Sequence, residues 1–137
     1  MYSFSTHAEG TIDTVEERVV DALKAEGFGV LTEIDVQATL KAKLGVERRP
    51  YKILGACIPS LANKAIEADP DIGLLLPCNV VLREEGDGGI TVAFMDPVAV
   101  LQLVEMSEVA ELAHDVKQRL ERVRDAVEGS GHGAGAV

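Results

Sequence analysis

Two cysteines, Cys57 and Cys78, are the only thiols in the chain. Each lies in or at the end of an apolar stretch that reads as a β-strand. Cys57 stands directly before Ile58-Pro59-Ser60, where a helix is expected to start, and the partial positive charge of a helix N-terminus favours a thiolate. Glu33 and Asp35 close another strand on one shared face, and a carboxylate such as Glu33 could accept a proton from such a thiol, although nothing in the sequence brings the two together. Lys41, Lys43, Arg48, Arg49 and Lys52 form a local basic stretch broken only by Glu47, in a chain of net charge -10. Polar groups in otherwise apolar strands are costly unless partnered or wet. We therefore expect Glu33, Cys57, Cys78 and Asn79 to converge on one cleft with Lys41 and Lys43 at its rim. Cys57 and Glu33 are its candidate catalytic pair.

Each feature also has a structural reading. Asp35 most simply caps a helix. Buried free cysteines commonly serve as small hydrophobes, and a basic run is commonly a solvated face. Other chemistries are excluded by spacing. His7, His114 and His132 are dispersed and make no zinc pattern with two distant cysteines. Gly86-Asp87-Gly88-Gly89 joins two strands rather than a strand and a helix, so it is not a phosphate loop. The cysteines form no Cys-x-x-Cys pair, and no Gly-x-Ser-x-Gly elbow occurs. No metal and no cofactor is expected.

The positioning elements follow from periodicity. Tyr2–His7 alternates as a first strand. Thr11 or Asp13 caps an amphipathic helix with Ile12, Val15, Val19, Ala22 and Leu23 on its apolar face, stopped at Gly27. Phe28–Ile34 reads as a second strand, and Asp35 caps a short helix from Val36 to Leu44 that ends at Gly45. Tyr51–Ile58 is a third strand. A helix from Pro59 runs to Pro70. Gly73–Arg83 reads as a long fourth strand interrupted at Pro77, where a bulge or an edge is expected. Glu84–Gly89 turns into a fifth strand, Ile90–Met95. Asp96-Pro97 opens a short helix to about Glu105. Ser107 caps a long one whose stripe is Val109, Leu112, Val116, Leu120, Val123 and Val127. Residues 129–137 read as a disordered Gly-rich tail on a single domain spanning 1–128. The fold class is α+β: a mostly antiparallel five-stranded sheet, order β-α-β-β-β-β-α with short helical inserts, and two long helices on one face.

Composition narrows the partners. Hydrophobic residues make up 47% of 137 residues, enough for one core, but aromatics are only 4%. Few aromatics and strong acidity argue against nucleic-acid binding. No signal-like N-terminus and no membrane-length apolar run occur, so a cytoplasmic location is expected. Leu101 and Leu103 lie on opposite sides of a short helix and cannot both be buried by one small core. A two-fold homodimer is therefore expected.

The chain resembles the domain of unknown function 302 family of bacteria and archaea. The resemblance rests on Gly27-Phe28-Gly29-Val30-Leu31-Thr32-Glu33-Ile34-Asp35, Leu40-Lys41 with Lys43, Tyr51-Lys52-Ile53-Leu54-Gly55-Ala56-Cys57 with Pro59 and Ala65, and Leu74-Leu75-Leu76-Pro77-Cys78-Asn79-Val80. It covers most of Gly10 to Val127. One departure is Ile58, where the family pattern commonly has Asn after the Cys. The resemblance implies a fold similar to the TATA-binding-protein class, without DNA binding, since fold does not fix function. Some relatives look like modules attached to redox or sulfur-handling proteins. Three functions follow as expectations: a binding module for a small anionic ligand at Glu33, Lys41, Lys43, Cys57, Cys78 and Asn79; a thiol-dependent enzyme or redox sensor using Cys57; or a purely structural homo-oligomer.

Overall fold

The computed structural model describes the backbone of residues 1–136 and the side chains of residues 1–128. The disordered tail expected over 129–137 lies outside the residues described in full. In chain order the elements are β1 (Ser3–Ala8), α1 (Ile12–Ala25), β2 (Gly29–Asp35), α2 (Val36–Leu44), β3 (Tyr51–Cys57), α3 (Pro59–Ala68), a 3₁₀ turn (Pro70–Leu75), β4 (Cys78–Glu84), β5 (Ile90–Met95), α4 (Pro97–Leu101) and α5 (Ser107–Ala136). The strands form one sheet of order β1-β5-β4-β3-β2, and every neighbouring pair is antiparallel. This is the expected α+β order.

Local chemistry sets the helix ends. Thr11 caps α1 in a reciprocal box with Thr14, whose backbone N–H donates to Thr11 Oγ1 at 3.2 Å while the Thr11 N–H donates to Thr14 Oγ1 at 3.1 Å. Asp35 Oδ1 accepts from the Ala38 N–H at 2.9 Å and starts α2. Gly45 ends that helix at φ 67°, in the left-handed region that glycine enters at no steric cost. Asp96 Oδ1 accepts from Val98 N at 2.9 Å and Ala99 N at 3.3 Å, which fixes α4 behind its proline.

The main core lies between one sheet face and the helices α1 and α5. Val15, Val19 and Leu23 of α1 and Leu120, Val123 and Val127 of α5 meet Leu54, Val80, Leu82, Val92 and Phe94 of the sheet. Phe4 stacks on Phe94 with ring centroids 5.4 Å apart. Arg119 Nη1 donates to the Glu26 carbonyl at 2.8 Å and fastens α5 to the end of α1. A second, smaller cluster of Ala65, Ile72, Leu101, Val109 and Ala113 fills the space between α3, the 3₁₀ turn, α4 and the start of α5. Among the described residues no helix is long and apolar enough to cross a membrane.

Two boundaries differ from the sequence reading: α4 stops at Leu101 rather than near Glu105, and the fourth strand starts late. The fourth strand begins at Cys78, not Gly73, because Asp69 Oδ1 takes the Asp71 N–H at 3.1 Å and turns Pro70–Leu75 into a 3₁₀ helix. Pro77 therefore precedes the strand and removes no ladder hydrogen bond. β4 is an interior strand, and the sheet's irregularity lies instead in β2, between Val30 and Thr32.

Candidate functional site

The cleft forms where the two clusters fail to interlock. Its walls come from Ala56, Cys57 and Ile58 at the end of β3, Leu61, Ala62 and Ala65 on α3, Leu76, Pro77 and Cys78 leading into β4, Leu112 and Val116 on α5, and Phe28 and Leu101. Phe28, Ala56, Cys78 and Val116 belong to the main core, while Ala65, Leu76, Leu101 and Leu112 belong to the second. The cavity measures about 40 Å³, room for roughly three water-sized spheres. The lining is almost wholly apolar, and no lining residue carries a charge.

Register sets the two cysteines on adjacent strands but on opposite faces of the sheet. Ala56 is the Cα partner of Cys78 across the β3–β4 ladder and shares its core-facing side, so Cys57, the next residue along, turns the other way. The corner before Cys78 comes close against β3. Gly55 permits this approach: a Cβ there would stand 2.8 Å from Pro77 Cγ and also meet the Thr32 hydroxyl. Both cysteines are free. Burial pushes the Cys57 thiol above its ordinary range. Burial, and then the nearby Cys57, push Cys78 up to about 12. Both sulfurs are held as neutral thiols at pH 7, which is the reverse of what a nucleophile needs.

The other expected site residues lie elsewhere. Glu33 faces α1 and sits 3.2 Å from Lys52 Nζ. Lys41 pairs with Glu47 at 3.4 Å on exposed α2, and Lys43 is exposed near its end. Asn79 follows Cys78 in β4 and is exposed. None of Glu33, Lys41, Lys43 and Asn79 lines the cleft with Cys57 and Cys78. Leu112 and Val116 were legible only as core positions of the α5 stripe. Lys52, grouped in the sequence with the basic stretch, is the centre of a carboxylate cluster. Its ammonium lies 2.7 Å from Glu16, 3.2 Å from Glu33 and 3.4 Å from Asp13.

The profile of the family described as Domain of unknown function DUF302 matches residues 4–127. The chain belongs to the DUF302 family. A solved structure similar to it is the uncharacterized conserved protein DUF302 from Bacillus stearothermophilus, 27% identical, with a TM-score of 0.85 over 93% of this chain and 98% of that one. No functionally curated protein matches the chain. The DUF302 match includes the β3 end, the Leu76-Pro77-Cys78 corner and the α5 stripe, which are the segments that wall the cleft.

Proposed function

We propose that this DUF302 domain is a binding module whose site is the cleft between its two cores, and that it holds a small ligand there without turning it over. The observation that carries this reading is the apolar cavity between the two cores, lined by Cys57 and Cys78 and by no charged residue. Apolar pockets with a few convergent polar groups are ordinary ligand sites. Raised thiol pKa values favour binding over nucleophilic catalysis, and no carboxylate lines the cleft to serve as base. Two free cysteines also suit a reducing compartment, in keeping with a cytoplasmic location.

Xenon is a probe matched to a cavity of this size and polarity. Under a few bar of xenon, amide and methyl resonances of Ala56, Leu61, Ala65 and Val116 are expected to shift, those of α2 to stay put, and Ala62→Phe to abolish the response. A native protein with unmoved cleft resonances would sink the reading. Maleimide is expected to label the native chain at pH 7 about tenfold or more slowly than the unfolded chain. Faster labelling at Cys57 than in the unfolded chain would put thiolate chemistry in its place.

We also propose that the domain forms a homodimer through the α2 arm. α2 contains no buried residue. Leu31, Ile34, Leu44 and Val46, on or beside it, are 62%, 48%, 69% and 44% exposed. The arm is basic at Lys41, Lys43, Arg48 and Arg49, whereas a groove on α1 carries Asp13, Glu16, Glu17 and Asp21. A second copy offers both an apolar partner and the complementary charge.

A further inference from the structure

We propose that the cleft and the groove beside it form one site for a small amphiphile, an alkylammonium, with its narrow aliphatic chain in the cleft and its cationic head in the groove. This rests on the binding reading above and names the chemical class of the occupant.

Volume decides the chain. A cavity of about 150 Å³ lined by aliphatic and aromatic side chains stays dry and binds benzene. This cleft measures about 40 Å³, too little for a ring and enough for a single file of methylenes. Its walls carry no charge, so a charged head that followed the chain inside would lose its hydration uncompensated. The head must stay outside, where water reaches it.

Burial shows which end of the cleft is the outer one. Ala56 is fully buried and Cys78 is 6% exposed, whereas Leu61 on α3 and Leu112 on α5 are half-buried. Leu61 and Leu112 also line a second hollow, the groove between α3 and α5. The two hollows adjoin at this pair of leucines.

Charge decides the head. The groove is lined by Glu67, Glu108, Glu111 and Asp115, and among the described residues that line it Lys64 is the one cation. Asp115 is paired with Arg119 at 2.9 Å. The other three carboxylates outnumber Lys64. Glu108 and Glu111 join no ion pair among the described residues. Glu108 stands three residues before Glu111 and four before Leu112, so like charges share one face of α5 beside the outer end of the cleft. Such pairs repel, and a cationic head between them relieves the repulsion. A carboxylate head would add to it. Lys41 and Lys43, which suggested an anionic ligand, line neither hollow. The sign of the ligand is therefore the reverse of the one the basic stretch implies.

The test titrates hexylammonium, hexanol and hexanoate into the isotope-labelled full chain at pH 7 and low salt, following the resonances of Leu61, Ala65, Leu112 and Val116. Hexylammonium is expected to move them and to bind about fivefold more tightly than hexanol, the worth of one good exposed ion pair. Hexanoate is expected to bind most weakly. Glu108→Gln with Glu111→Gln is expected to bring hexylammonium down to the level of hexanol and to leave hexanol unchanged, a split that a general structural defect would not give. Glu111→Gln alone keeps the experiment readable if the double variant does not fold. Hexanoate that binds as tightly as hexylammonium, or a folded double variant that keeps the wild-type preference for the amine, overturns the proposal. Shifts confined to Glu108 and Glu111, with Ala65 and Val116 unmoved, reduce the contact to a bare ion pair and overturn it as well. Xenon-shifted cleft resonances without a response to hexylammonium overturn the alkylammonium and leave the cleft reading standing. No response to either removes both.

Discussion

Lys52 Nζ lies 2.7 Å from Glu16 Oε1, and both side chains are more than four-fifths removed from solvent, at 17% and 18% exposure. The contact joins the start of β3 to α1. The hydrogen bond that Lys52 donates to Glu16 raises the Lys52 pKa against the opposing effect of burial, and Glu33 adds to it. Glu33 is thus engaged as an ion-pair partner, on the helix-covered face of the sheet. Lys52→Met strands Glu16 beside the core and is expected to cost about 2–3 kcal/mol by urea unfolding, below the full penalty of a deeply buried pair. Glu33→Gln, at a site 47% exposed, is expected to cost under about 1 kcal/mol. A coupling energy near zero in a Lys52→Met, Glu16→Gln cycle would refute the clamp.

Asp96 supplies the pH dependence. Burial pushes its carboxyl up, but the hydrogen bond from Lys117 and the backbone N–H groups of Ala99 and Val98 outweigh that and hold it below the usual 3.8. A carboxylate with a depressed folded pKa binds its proton more readily in the unfolded chain. Its contribution is therefore present above about pH 4 and lost as pH falls through the folded value. Asp96→Asn keeps a capping oxygen but does not titrate. The stability difference between wild type and Asp96→Asn is expected to shrink between pH 5 and 2, at most about 1.4 kcal/mol per pH unit. A difference independent of pH over that range would show that the charge on Asp96 contributes nothing.

The elements were legible because their signals are local. Thr11, Asp35 and Asp96 cap where the sequence places caps, and the α5 stripe buries Val109, Leu120, Val123 and Val127. The start of β4 was not, because Leu74-Leu75-Leu76 is apolar and reads as strand, while Leu74 is in fact 87% exposed in a turn set by Asp69 and Pro70. The candidate site was half legible. Cys57 and Cys78 both border the cleft because the β3–β4 register brings their strand ends side by side, which hairpin and strand patterns only suggest. The face of Glu33 was hidden by something no pattern encodes: Thr32 pairs with Gly55 and Val30 with Ala56, so Leu31 is the extra residue of a bulge that sets Glu33 opposite Leu54, on the helix-covered face beside Lys52. Alternation along β2 predicts faces only on one side of that residue.

Gly55 is the position on which the cleft's shape depends. An alanine methyl there would approach Pro77 Cγ to 2.8 Å and collide with the Thr32 hydroxyl. Gly55→Ala is expected to cost about 1–3 kcal/mol by overpacking. It is also expected to move Cys78 away from Cys57, since the Leu76-Pro77-Cys78 corner must yield. Thr32→Ala in the same chain removes one of the two obstacles and is expected to restore part of the loss. Wild-type stability in Gly55→Ala, with unchanged amide shifts at Cys78, would mean the corner does not rest on β3 as described.

The proposed dimer makes the sharpest claim about the surface. The chain has a mass of 14.6 kDa, and light scattering is expected to give twice that at micromolar concentration. Leu101, the last residue of α4, is 6% exposed and Leu103, in the turn just beyond it, 74%, so an apolar side chain is left outside the core there. The arm, however, combines apolar exposure with charge opposite to the rest of the body. Leu44→Glu and Val46→Glu alter exposed residues and are expected to leave the fold intact while producing monomers. Lys41→Glu with Lys43→Glu is expected to weaken association at low salt and to matter little at 1 M, where charges are screened within about 3 Å. Leu103→Glu separates the arm from the alternative surface on α4: it is expected to leave the dimer unchanged. A wild-type mass of 14.6 kDa that does not vary with concentration would end the homodimer proposal, and a dimer broken by Leu103→Glu but not by Val46→Glu would move the interface from the arm to α4.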